Sequence, residues 1–168
     1  MGTFQKTNTH IISVLVENKP GVLSRVTGLI SRRGFNIGSL AVGPTEDPDI
    51  SRMTIVVDAD DEAFEQITKQ LNKLVSVYKI TRQRSGVDLV RELMLVKVSV
   101  SPEVRSQVIE VADIFRAKIV DVGGDSVTIE ATGDENKLSG LESLLRPYGI
   151  KEIIRTGKIA LPRSNAEA

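Results

Sequence analysis

The chain reads as an α+β protein built from two tandem ferredoxin-like βαββαβ domains. Three observations carry that reading. Short β-branched stretches alternate with stretches whose apolar residues recur at helical spacing, in the order strand, helix, strand, strand, helix, strand. The same order then repeats after a turn-rich junction near residue 86. A length of 168 residues holds two small domains of this kind comfortably.

His10 to Val16 is apolar and β-branched, and Glu17-Asn18-Lys19-Pro20-Gly21 stops it. Val22, Leu23, Val26, Leu29 and Ile30 then form one helical stripe, which ends at Arg32-Arg33-Gly34 with cations at the negative dipole terminus. Asn36 to Val42 and Arg52 to Asp58 are the next two strands, joined by a long turn over residues 43–49. Phe64, Ile67, Leu71 and Leu74 mark a second helix, and Val77 to Gln83 closes the unit. The acids Asp58, Asp60, Asp61 and Glu62 sit where a helix start favours negative charge.

Leu93 to Val100 opens the second unit, followed by a helical stripe of Val104, Val108, Val111, Ala112 and Phe115. Lys118 to Val122 and Val127 to Ala131 flank the hairpin signal Gly123-Gly124-Asp125. Leu138, Leu141, Leu144 and Leu145 form another helix, and Ile150 to Ile159 contains the last strand. The expected boundaries are 9–84 and 88–161, with Ser85-Gly86-Val87-Asp88 as the junction and 162–168 as a loose polar tail. The first strand is apolar on both sides: Ile12, Val14 and Val16 point one way, Ile11 and Leu15 the other. A second cover for its sheet is therefore expected, from a sister subunit, the other domain or a partner.

Composition removes several function classes. Twenty-two basic residues balance twenty-two acidic ones, so no net field draws nucleic acid or anionic lipid. The few aromatics form no basic-aromatic strand motif for stacking bases. There is no cysteine, which excludes disulfides, thiolate metal sites and a cysteine nucleophile. His10 is the only histidine and has no adjacent serine, so neither a multi-histidine metal site nor a recognisable catalytic constellation is present. Met1 to Lys6 lacks the apolar core of a signal peptide, and no apolar run approaches the ~20 residues of a membrane span. A cytoplasmic location is expected.

The loop Asn18-Lys19-Pro20-Gly21 joins the first strand to the first helix. A helix start presents unpaired N–H groups and positive potential, which suit a carboxylate. Pro20 suits a first helical turn, and Gly21 allows close approach to the backbone. Asn18, and Asn36 at the next strand, can offer side-chain carbonyls to an ammonium group. By itself this pattern also describes a helix start that binds nothing.

The run from Ser13 to Val26, with Asn18-Lys19-Pro20-Gly21-Val22-Leu23-Ser24 at its centre, resembles the opening of an ACT domain, an amino-acid-responsive regulatory module. Arg33-Gly34-Phe35-Asn36-Ile37-Gly38-Ser39-Leu40, Asp47-Pro48-Asp49-Ile50-Ser51-Arg52-Met53-Thr54-Ile55 and Gln70-Leu71-Asn72-Lys73-Leu74 are similar to the small-subunit family of acetolactate synthase. Arg91 to Val98 and Ile114 to Val122 resemble the C-terminal domain of that family. The resemblance implies a regulatory subunit with no catalytic residues and no metal or cofactor of its own. It also implies a catalytic large subunit carrying thiamine diphosphate, Mg and often FAD. The small subunit would raise that enzyme's activity and confer inhibition by valine or another branched-chain amino acid. Carried over by position, the effector site falls on Asn18, Gly21, Val22, Leu23 and Ser24, with Asn36 and Ile37, at the interface of a homodimer formed through the ACT domains. In the second half, Ser101-Pro102-Glu103 and Lys118 replace the loop and Asn36, so that half is expected to contact the large subunit or reinforce the dimer. A stand-alone ACT sensor acting on another partner is the alternative reading.

Overall fold

The computed structural model describes residues 8–84 and 86–164. Strand β1 (Asn8–Glu17) leads through the Asn18–Gly21 loop into helix α1 (Val22–Arg32). Strands β2 (Ile37–Pro44) and β3 (Ile50–Ala59) form a hairpin, followed by helix α2 (Asp61–Leu71) and strand β4 (Val77–Arg82). The sheet runs β2-β3-β1-β4, and every neighbouring pair is antiparallel. This is the ferredoxin-like order expected from the sequence.

Its core follows the two periodicities. Ile12, Val14 and Val16 of β1 and Met53, Ile55 and Val57 of β3 face the helices and are buried. Val22, Val26 and Ile30 meet them from α1, and Phe64, Ile67 and Leu71 from α2. Each fully buried aliphatic side chain contributes about 1.5–3 kcal/mol. The clustered acids have structural work here. Asp60 is the N-cap of α2, its side chain accepting from the Ala63 N–H at 2.8 Å, and Asp58 accepts from Thr9 Oγ1. His10 is 3 % exposed and stacks on Phe64 with ring centroids 4.2 Å apart. With Nε2 donating to the Ala59 carbonyl, Nδ1 is left to accept from the Arg82 guanidinium.

The second repeat comprises β5 (Leu89–Ser99), α3 (Arg105–Ile114), β6 (Lys118–Val122), β7 (Ser126–Gly133), α4 (Glu135–Leu145) and β8 (Ile150–Arg155). Its strands run β6-β7-β5-β8. Met94, Val96, Val98 and Ile129 pack against Val108, Ala112, Leu138, Leu141 and Leu145. Asp134 caps α4 as Asp60 caps α2, accepting from the Lys137 N–H at 2.9 Å.

The end of the chain departs from the simple repeat. The apolar stretch after Ile150 breaks at Gly157, whose φ of 88° suits glycine, and resumes as a separate strand β9 (Ile159–Leu161). The chain divides into one compact unit running to Leu89 and another of Val90–Gly157, and the segment from Lys158 groups with the first. The Lys158 N–H donates to Ser39 Oγ of β2 at 3.0 Å. The chain's own returning segment thus meets the first sheet at β2, and Ser13, Thr54 and Val56 on the sheet's second face are buried. Among the described residues no helix is long and apolar enough to cross a membrane. The Met1–Lys6 stretch, Ser85 of the junction and residues 165–168 of the tail lie outside the described residues.

The capping geometry yields a direct check. Asp60→Ala and Asp134→Ala should each destabilise their own unit by about 1 kcal/mol, with Asp→Asn variants, whose Oδ1 can still accept, losing little. Urea unfolding followed by circular dichroism measures both.

Candidate functional site

The β1–α1 loop is anchored to the β2–β3 turn. Asn18 N–H donates to the Asp49 carbonyl at 2.8 Å, and Asn18 Nδ2 donates to the Pro48 carbonyl at 2.9 Å. That orientation leaves Asn18 Oδ1 as an acceptor on an exposed residue. Lys19 pairs with Glu17, whose hydrogen bond and charge raise the ammonium above its ordinary range.

Gly21 is the N-cap of α1 with φ 84° and ψ −11°, a left-handed conformation costing most residues about 1–2 kcal/mol. A Cβ placed there would meet no atom within 4 Å, so backbone conformation and not space selects glycine. No side chain caps α1 and no acid lies in its first turn, in contrast to α2 and α4. The Val22 N–H reaches the Lys19 carbonyl at 3.4 Å and the Arg25 N–H reaches Gly21 at 3.1 Å. The N–H groups of Leu23 and Ser24 between them make no backbone hydrogen bond among the described residues. Two free donors at the positive end of a helix form a seat for a carboxylate.

The side chains of the candidate set divide in their roles. Val22 is buried in the core and Ile37 packs against it, whereas Leu23 is 43 % exposed and Ser24 is exposed. Asn36 is exposed immediately before β2. Register then separates the set into two groups. Ile37 aligns through Val57 with His10, while Pro44 aligns through Ser51 with Val16. Those levels on β1 are six residues apart, or roughly 20 Å at the rise of an antiparallel strand. Within one chain, Asn18, Gly21, Leu23 and Ser24 lie together at one end of the sheet; Asn36 and Ile37 lie at the other.

The equivalent loop of the second unit is built differently. Val104 and Arg105 N–H groups both donate to the Ser101 carbonyl, at 3.2 and 3.1 Å. The Glu103 carboxyl is held below its usual range by the Ser101 hydroxyl and its own N–H. A carboxylate already belongs to this loop, and Lys118, opposite Glu130 on β7, stands where Asn36 stands in the first unit. Sequence reasoning missed the Pro48 and Asp49 carbonyls, which position Asn18. They act through main-chain atoms thirty residues away, and no residue type signals that. Among the described residues, no group of three or more histidine, aspartate or glutamate side chains is placed to hold a metal ion.

Comparison with known proteins gives a consistent assignment. Residues 12–79 match the family model described as the AHAS small subunit-like ACT domain, and residues 91–164 match that of the small subunit of acetolactate synthase. A probable acetolactate synthase small subunit of Archaeoglobus fulgidus is 57 % identical over 157 residues, covering 93 % of this chain and 98 % of that one. The acetolactate synthase small subunit of Mycolicibacterium smegmatis is likewise 57 % identical, covering 94 % and 92 %. The crystal structure of the acetolactate synthase small subunit from Thermotoga maritima superposes with a TM-score of 0.87 at 42 % identity, covering 95 % and 99 %. The chain belongs to the small-subunit family of acetolactate synthase.

Proposed function

We propose that this chain activates a catalytic large subunit of acetolactate synthase in the cytoplasm and makes that enzyme sensitive to valine or another branched-chain amino acid. The observation that carries the reading is the bare start of α1. Its free Leu23 and Ser24 N–H groups suit the ligand's carboxylate, Asn18 Oδ1 suits its ammonium group, and exposed Leu23 offers an apolar surface. The condensation of 2-keto acids stays on the large subunit, with its thiamine diphosphate, Mg and FAD. This chain contributes regulation and no catalytic group. Matches to small-subunit models in both halves favour this reading over a stand-alone ACT sensor.

The split site is completed by a homodimer. Strand β2 is an edge of its sheet, with Val42 48 % exposed. Two β2 edges paired antiparallel about a two-fold axis place the start of one strand beside the end of the other. The partner's Asn36 and Ile37 then lie at the Pro44 end, next to Asn18 and Gly21. Each ligand contacts two chains, and the second unit is left to dock the large subunit or strengthen the dimer.

Reconstitution tests this. Acetolactate formation by the large subunit should rise when this chain is added, fall on titration with valine, leucine or isoleucine, and be absent with this chain alone. Gly21→Asp and Asn36→Lys should each abolish inhibition while preserving activation and the circular dichroism spectrum. At position 21 the new charge adds roughly 1 kcal/mol of repulsion at about 4 Å in water, more where solvent is excluded, on top of the backbone strain that any side chain meets at a φ of 84°. Unchanged inhibition in both folded variants would place the effector elsewhere.

The two variants also report on assembly. When Gly21→Asp and Asn36→Lys chains are unfolded and refolded together in equal amounts, half the dimers should be mixed. Each mixed dimer has one site carrying both changes and one carrying neither, so about a quarter of all sites should regain the ligand. Calorimetric titration counts them. No recovery in mixed dimers verified by mass spectrometry would rule out a site shared across chains.

A further inference from the structure

The sheet of the first unit has a second face, turned away from α1 and α2, that the proposed effector site does not use. A groove of about 640 Å³ runs along it. On its floor, Leu15 of β1 is flanked by Arg52 of β3 and Lys79 of β4, and Thr81 stands beyond Lys79 on β4, in register with the buried Ser13 of β1. Gln83 follows beside Ile11, whose carbonyl accepts its N–H at 2.8 Å. Leu161 and Pro162 of the returning segment complete the wall.

Two features mark the groove as more than a packing fault. The first is charge. Neither Arg52 nor Lys79 has an ion pair with an acid among the described residues, and Arg52 Nη1 is held over the floor by a 3.0 Å hydrogen bond to Ser13 Oγ. The second is unmet hydrogen bonding. Among the described residues four buried side-chain polar atoms have no hydrogen-bond partner, and three belong to residues lining this groove. They are both amide atoms of Gln83, a residue 7 % exposed, and Oδ1 of Asp88, 8 % exposed. Asp88 Oδ2 accepts from the Arg84 N–H at 2.7 Å, while its Oδ1 has only a 3.6 Å ion-pair approach from the Arg84 guanidinium. Folded proteins rarely leave buried amides unpaired, because the desolvation cost is then uncompensated.

We propose that this groove is a second ligand site, taking a small elongated oxyanion with a carboxylate or phosphate head. The head lies over Leu15 between Arg52 and Lys79. The Thr81 hydroxyl flanks its path, and a hydrogen-bonding group at the far end meets the Gln83 amide. Groups of this kind, two cations at one end and a donor–acceptor amide at the other, set both charge and orientation. The site is independent of the α1 loop, which serves the opposite side of the sheet.

The test uses the full ¹⁵N-labelled chain, titrated separately with sodium phosphate and sodium succinate against sodium chloride at matched ionic strength. Saturable amide shifts confined to Leu15, Lys79, Thr81 and Gln83 are expected with at least one probe, and the stronger one identifies the head group. Lys79→Gln should weaken that binding about tenfold, the loss of one charge-assisted contact. Gln83→Leu should also weaken it, and by removing two unpaired buried atoms should raise the melting temperature of the ligand-free chain by about 2–4 °C. Gly21→Asp should leave these shifts unchanged. The proposal is overturned if neither probe moves those amides beyond chloride, or if Lys79→Gln binds as the parent does. A lower melting temperature for Gln83→Leu would overturn it too, by showing that the amide serves the fold.

Discussion

The first unit rests on one constraint: the register of β1 between β3 and β4. Ten consecutive residue pairs tie β1 to β3, from Asn8 with Ala59 to Glu17 with Ile50. With that pairing set, alternate residues of β1 can only face the helices or the other side, and a shift by one would exchange Ile12, Val14 and Val16 for Ile11, Ser13 and Leu15. The same register delivers the β1–α1 loop beside the β2–β3 turn, where Asn18 finds two carbonyls. It also aligns Arg52, Leu15 and Lys79 across three strands.

The two units share this framework and differ where it is least demanding. Both sheets have the same strand order, and both second helices begin with an aspartate that caps its own backbone. The divergence lies in the loops before the first helices. One ends in a left-handed glycine with free N–H groups beyond it; the other is closed on Ser101 and carries its own carboxylate. Loops tolerate such change because the buried stripes of neighbouring strands and helices hold the fold without them.

Much of this was legible in the sequence. Period-two and helical spacings located the elements to within a few residues, because burial on one face writes directly into the order of apolar residues. The start of α2 was readable in the run Asp58, Asp60, Asp61 and Glu62, and the structure singles out Asp60 as the cap. What stayed hidden depends on chain segments far apart in sequence. The contact made from Lys158 onward includes a main-chain donor meeting Ser39, and nothing in Thr156-Gly157-Lys158 names that acceptor. Val22 and Leu23 look alike as letters, yet one is buried and the other exposed, because adjacent helical residues point about 100° apart. The separation of Asn36 from Gly21 was invisible as well. Residues fifteen apart in sequence lie at opposite ends of the sheet because α1 carries the chain back along it.

That separation has a thermodynamic consequence. In the proposed dimer a ligand that touches both ends of the sheet is held by two chains at once, so ligand binding and chain association share one free energy. Dilution loosens the grip on the ligand, and ligand tightens the pair by the same factor. The threshold of such a sensor is then a property of how much of the sensor the cell contains, as well as of the site itself.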